Sequence, residues 1–143
     1  MKARLQEAMK EAMRAKDKLR LNTIRGALSA MQYEAMRKSK DELSDDEAVA
    51  VLKSEVKKRD EAIEYAAKDG RGEMRAELEA ERGVLLEFLP RQVSQAELEE
   101  AVRRMKEAEP GIALGPVMKR LREEYGARLD GKLASEAARR ILG

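Results

Sequence analysis

With 143 residues the chain has room for one domain or for two small helical lobes. Its composition, 43% hydrophobic and 41% charged with Phe88, Tyr33, Tyr65 and Tyr125 as the only aromatics, favours long solvated helices over one large core. It contains no Cys and no His, which excludes a disulfide framework, a thiol nucleophile, an imidazole base and the usual zinc ligands.

Leu5, Met9, Ala12 and Met13, followed by Leu21, Ile24, Leu28, Met31 and Ala35, recur at helical spacing on either side of Lys16-Asp17-Lys18. They predict helices over about 2–16 and 18–39, with Asp17 as N-cap of the second and a tight turn between them. The opening residues alternate Lys2, Arg4, Glu7 and Glu11 with Leu5 and Met9 and have no signal-peptide core. No apolar run approaches the roughly 18 residues of a membrane span, so a cytoplasmic location is expected.

Ser44-Asp45-Asp46-Glu47 has the form of a capping box with acidic residues in the first turn, where the helix dipole favours them. The helix it opens carries Val49, Leu52, Val56, Ile63 and Ala66 along a narrow seam. It is predicted to end near Lys68-Asp69-Gly70, with Gly70 left-handed. Met74, Leu78, Leu85 and Phe88 or Leu89 mark a fourth helix, stopped before Pro90 and returning as an antiparallel hairpin.

A second capping sequence, Ser94-Gln95-Ala96-Glu97, begins just beyond Pro90-Arg91-Gln92-Val93. The stop and start signals divide the chain into a helical lobe at 1–90 and a three-helix tail at 91–143. Leu98, Val102 and Met105 define the first tail helix, closed by Pro110-Gly111. Leu114, Met118, Leu121 and Tyr125 line the second, with Pro116 in its first turn and Gly126 at its end. Asp130 caps the third, in which Ala134, Ala137, Ala138 and Ile141 face inward. The fold class expected is therefore all-α.

Formal net charge is +2, divided as +5 over residues 1–43, −4 over 44–94 and +1 over 95–143. Lys119, Arg120, Lys132, Arg139 and Arg140 fall on the outward faces of the last two helices. A solvated face is the ordinary account of such charges, and Glu123 and Glu136 interleave with them. Packed side by side, however, those helices could bring the five cations onto one surface that follows a phosphate backbone. Gly111, Gly115 and Gly131 lack the Gly-Lys-Ser/Thr ending and preceding strand of a nucleotide loop, so turns and caps are the expected use, with Gly131-Lys132 able to touch one phosphate. Glu77, Glu79 and Glu81 share a long helix with Arg75 and Arg82, the mixed charge that solubility alone produces, and the methionines Met9, Met13, Met31, Met36, Met74, Met105 and Met118 read as core filler. No catalytic residue, metal ligand or cofactor is expected.

Four segments carry a family resemblance: Asp69-Gly70-Arg71, Glu81 to Phe88-Leu89-Pro90-Arg91-Gln92-Val93-Ser94, Gly115-Pro116-Val117-Met118 to Gly126, and Asp130-Gly131-Lys132-Leu133 to Leu142. Together they resemble the YqeY-like proteins, whose C-terminal half is similar to the tail domain of the B subunit of the glutamine-dependent aminoacyl-tRNA amidotransferase. Phe88 stands where a tyrosine is commoner, and Pro116 where a polar or basic residue is usual. The resemblance implies two helical lobes, a tRNA partner, and a family label of carbon–nitrogen ligation with glutamine as amide donor. In the amidotransferase the tail helps hold the tRNA body while chemistry happens elsewhere. Two functions follow: an accessory module that binds tRNA by shape and phosphates and works with an aminoacyl-tRNA-processing enzyme, or an adaptor that docks on an enzyme through its acidic hairpin.

Overall fold

The computed structural model describes residues 1–143 and is all-α. Its elements are α1 (Lys2–Arg14), α2 (Lys18–Arg37), α3 (Asp45–Lys68), α4 (Gly72–Leu86), α5 (Gln95–Ala108), α6 (Leu114–Tyr125), a 3₁₀ turn over Gly126–Arg128, and α7 (Gly131–Leu142). No helix is long and apolar enough to cross a membrane. The chain divides into two compact units, Met1–Leu89 and Pro90–Gly143.

In the N-terminal unit α1 packs on α2, α2 on α3 and α4, and α3 on α4. Asp17 caps α2 by accepting from the Arg20 N–H at 3.1 Å. The turn before it is closed by Lys16 N–H to Met13 O and Asp17 N–H to Ala12 O, which place Lys16 at a φ of +56°. Leu5, Ile24, Leu52 and Leu85 are fully buried at the centre, with Ala27, Met31 and Phe88 around them. The guanidinium carbons of Arg4 and Arg20 lie 5.6 and 5.9 Å from the Phe88 ring centroid, and Arg20 is also paired with Glu87. Cation–π contact thus adds to the core burial of Phe88 and Leu89 in holding the segment that follows α4.

The seam of α3 differs slightly from its expected register, because Ala48 is buried and Val49 only half-buried. Across the turn at Gly70, whose φ is +69°, Arg59 meets Glu81 at 3.3 Å and Arg82 meets Asp60 at 2.6 Å. α4 ends at Leu86, earlier than the proline alone requires, and its last bonds contract to Glu87 N–H with Val84 O, Phe88 N–H with Leu85 O, and Leu89 N–H with Leu86 O. That tightening satisfies terminal carbonyls ahead of Pro90 and turns Phe88 and Leu89 into the core. Of the methionines expected as filler, Met31 is buried, but Met13, Met36 and Met74 are 51, 70 and 46% exposed. The apolar face of each helix is narrower than its list of hydrophobic residues.

In the C-terminal unit α7 packs against both α5 and α6. Ala134, Ala137 and Ala138 are wholly buried there, with Leu98, Val102, Val117 and Leu121 against them. The face of α6 is rotated from the expected one, since Val117 and Leu121 carry the burial while Leu114 is exposed. Residues 91–93 are laced to the 3₁₀ turn: the Val93 N–H donates to Arg128 O at 2.9 Å, Gln92 Nε2 to Ala127 O at 3.2 Å, and Arg128 Nε to Arg91 O at 3.1 Å.

The capping box of α3 predicts an acid response. The Glu47 carboxylate accepts from Lys38 Nζ at 2.9 Å, Lys40 Nζ at 2.8 Å and the Ser44 N–H at 3.0 Å, and these bonds, Lys38 first, hold its pKa far below the usual carboxylate range. A depressed folded pKa gives stability that is complete above the unfolded value of about 4.3 and lost as pH falls below it. Glu47→Gln should therefore lower Tm at neutral pH and flatten the loss of Tm between about pH 5 and 3. Thermal melts across that range check this, and an acid limb identical to the native one would contradict it.

Candidate nucleic-acid interface

The C-terminal unit leaves little freedom in how its charges point. Because α7 buries Ala134, Ala137 and Ala138, helical phase sends Lys132 and Arg139 to the opposite, solvent side, where both are exposed. They are seven residues apart, about 10 Å along the axis. On α6, Lys119 lies opposite the buried pair Val117 and Leu121 and is also exposed. None of these three cations has a carboxylate within ion-pair range.

Arg120 and Arg140 behave differently. Arg120 Nη2 donates to Glu109 Oε2 at 3.1 Å, at the end of α5. Arg140 Nη1 stands 3.4 Å from Glu99 Oε1 on α5, a buried oxygen that accepts no hydrogen bond, so this contact is a charge pair without a directional bond. The five residues thus separate into three free cations and two drawn towards α5. Two further cations belong in the description: Arg122, one turn from Lys119 on α6, and Arg104 on α5 are exposed and unpaired. Arg122 could have been found from its three-residue spacing to Lys119, which makes the two neighbours on the surface of one helix.

Other cations of the unit serve the fold. Lys106 Nζ donates to Ile141 O at 3.1 Å, satisfying a carbonyl at the end of α7, and Arg91 pairs with Glu97 at 3.3 Å. Glu97 also accepts the Ser94 hydroxyl at 3.1 Å while its N–H donates to Ser94 Oγ at 3.2 Å. Tyr125 is half-buried, and burial followed by the charge of Glu124 pushes its phenol pKa up. It therefore stays neutral at physiological pH.

The start of α7 adjoins the free cations. Asp130 is 9% exposed and its Oδ1 accepts from the N–H groups of Lys132 at 3.0 Å and Leu133 at 3.4 Å. A Cβ built on Gly115 or Gly131 would meet nothing within 4 Å, so packing gives no reason for glycine at either helix start. Gly126 is different, with φ +54° and ψ −123°, a region closed to other residues.

Carboxylates elsewhere do not form a reactive pair. Glu81 holds Arg59, and Glu79 holds Arg75 at 3.1 Å. No group of three or more acidic residues is placed to hold a metal ion. A cleft of about 690 Å³ lies in the N-terminal unit, with Leu28, Met31, Ala35 and Leu43 among its apolar walls and Lys2, Lys40 and Asp41 at its polar edge.

These features define a class: an all-helical protein whose small C-terminal unit has its own core and an exposed basic face. The chain belongs to the YqeY-like family, whose model, described as Yqey-like protein, matches residues 2–142. Comparison with curated proteins gives no significant match.

The caps that orient the basic face can be tested directly. Asp130→Ala should cost on the order of 1 kcal/mol, as removal of a capping carboxylate does. Gly126→Val should cost more, and because a Cβ there meets no neighbour, the whole penalty is backbone strain. Denaturant melts of the two variants check the order, and equal, negligible losses would contradict it.

Proposed function

We propose that the C-terminal unit is a tRNA-binding module of an accessory protein that serves an aminoacyl-tRNA-processing enzyme and leaves the chemistry to that enzyme. The observation that carries this reading is the division of charge on the last two helices. Lys119, Lys132 and Arg139 stand exposed and unpaired, whereas Arg120 and Arg140 have carboxylate partners. Free cations on rigid helices release counterions when they meet phosphates, and with so few aromatics the grip would rest on shape and backbone. Open glycines at the starts of α6 and α7 would let a sugar–phosphate chain approach closely. The similarity of this half of the family to the amidotransferase tail supports the same reading. It also accounts for a carbon–nitrogen ligase label, with glutamine as amide donor, in a chain for which we assign no catalytic residue.

The second reading, an adaptor docking through the acidic α3–α4 pair, has one observation in its favour: Tyr65 on α3 and Met74 on α4 are 71 and 46% exposed. Against it, Glu55, Asp60, Glu79 and Glu81 already hold Lys58, Arg59, Arg75 and Arg82 within the unit. That leaves less acidic surface for a partner than the sequence total suggests.

The triple variant Lys119→Glu, Lys132→Glu, Arg139→Glu should weaken binding to bulk tRNA whatever its sequence. Each lost contact should flatten the log–log salt dependence by about one unit. Tm should hardly move, because exposed charges contribute little to stability. Gel shifts over a salt series measure this. Undiminished binding by the variant would contradict the C-terminal interface, and no binding by the native protein at low salt would favour the adaptor.

A further inference from the structure

The C-terminal face is not the only accumulation of unpaired positive charge. Residues 1–43 carry a net +5, and much of it gathers where α1 turns into α2. Arg14, Lys16 and Lys18 fall within five residues, and Lys10 lies one turn before Arg14 on the same side of α1, away from buried Leu5, Ala8 and Ala12. All four are exposed and none is in an ion pair. The nearby anions do not pair with them: Asp17 is held as the cap of α2, and Glu7 and Glu11, one turn before Lys10 and Arg14 on α1, form no ion pair with either.

Two of these lysines sit where local physics disfavours them. Lys16 occupies the left-handed region at φ +56°, a position that ordinarily goes to glycine or asparagine. Lys18 is in the first turn of α2, which has no acidic residue, and there the helix dipole repels a cation. Arg20 in the same turn is explained by Glu87 and Phe88, but no contact within the fold explains Lys16 or Lys18. A cation kept at a strained, unfavourable position with no internal partner points to an external one. We propose that the α1–α2 elbow, through Lys10, Arg14, Lys16 and Lys18, is a second phosphate-binding surface for a nucleic-acid backbone. A membrane is disfavoured because α1 buries its apolar face, leaving Met13 as the exposed apolar side chain at the elbow.

The test uses the full chain, bulk tRNA and a salt series. Lys16→Glu with Lys18→Glu should weaken binding about tenfold or more at low salt and flatten the log–log slope by about two units. Lys16→Gly is the sharper variant: it removes one charge and relieves the backbone, so affinity and slope should fall while Tm stays level or rises. A lysine needed only for the turn would show no loss of affinity. In the background of the C-terminal triple reversal the elbow variants should remove the residual binding. If the triple reversal alone is silent while the elbow variants abolish binding, the C-terminal reading fails and this one stands. Native affinity and slope in the elbow variants would overturn the elbow surface, as would absence of RNA binding by the native chain. Loss of adsorption to phosphatidylglycerol vesicles with RNA binding intact would overturn it too.

Discussion

Ala134, Ala137 and Ala138 project so little from α7 that the helix can lie against both α5 and α6, and this close approach fixes the C-terminal unit. Helices of a dozen residues are marginal alone, so each must be held by packing. With the alanine face committed inward, the positions of Lys132 and Arg139 follow from helical phase. Leu98 and Val102 of α5 and Val117 and Leu121 of α6 fill the space beside the alanines. Residues 91–93, bonded to the 3₁₀ turn, close the remaining side and bring Val93 into the core. A larger side chain at any of the three alanines would separate the helices and disturb the spacing of the charges they display.

Both units show the same division of labour among cations. Some are spent on the fold: Arg59 and Arg82 join α3 to α4, Arg4 and Arg20 flank Phe88, and Lys106 closes the end of α7. Others are left without partners, at the elbow and on the outer faces of α6 and α7. The net charge of +2 conceals this, because paired and unpaired charges count alike in a sum. For a ligand recognised by its phosphates, the unpaired ones matter.

Local signals were legible in the sequence, and those depending on distant partners were not. Asp17, Ser44, Ser94 and Asp130 cap the helices expected of them, because a cap is decided within three or four residues. Gly70 and Gly126 have positive φ for the same reason. The fate of Arg120 and Arg140 depended on Glu109 and Glu99, which reach them only through tertiary packing, so five outward cations became three free ones. Periodicity overstated the core where a helix face is narrow, which left Met36, Met74 and Leu114 exposed. The strain at Lys16 had no sequence signature, since lysine is an ordinary surface residue until its backbone angle is known.

The proposed function requires the outer face of α6 and α7 to touch RNA phosphates while the alanine core behind it stays intact. At 16.1 kDa the protein suits residue-by-residue NMR, and titration of the full chain with tRNA tests that requirement most directly. Shifts are expected at Lys119, Arg122, Lys132 and Arg139 that fade as salt is added, with Ala134, Ala137 and Ala138 little changed. RNA bound with that face silent, its shifts confined instead to the cleft around Met31, Met36 and Leu43, would contradict the proposed function.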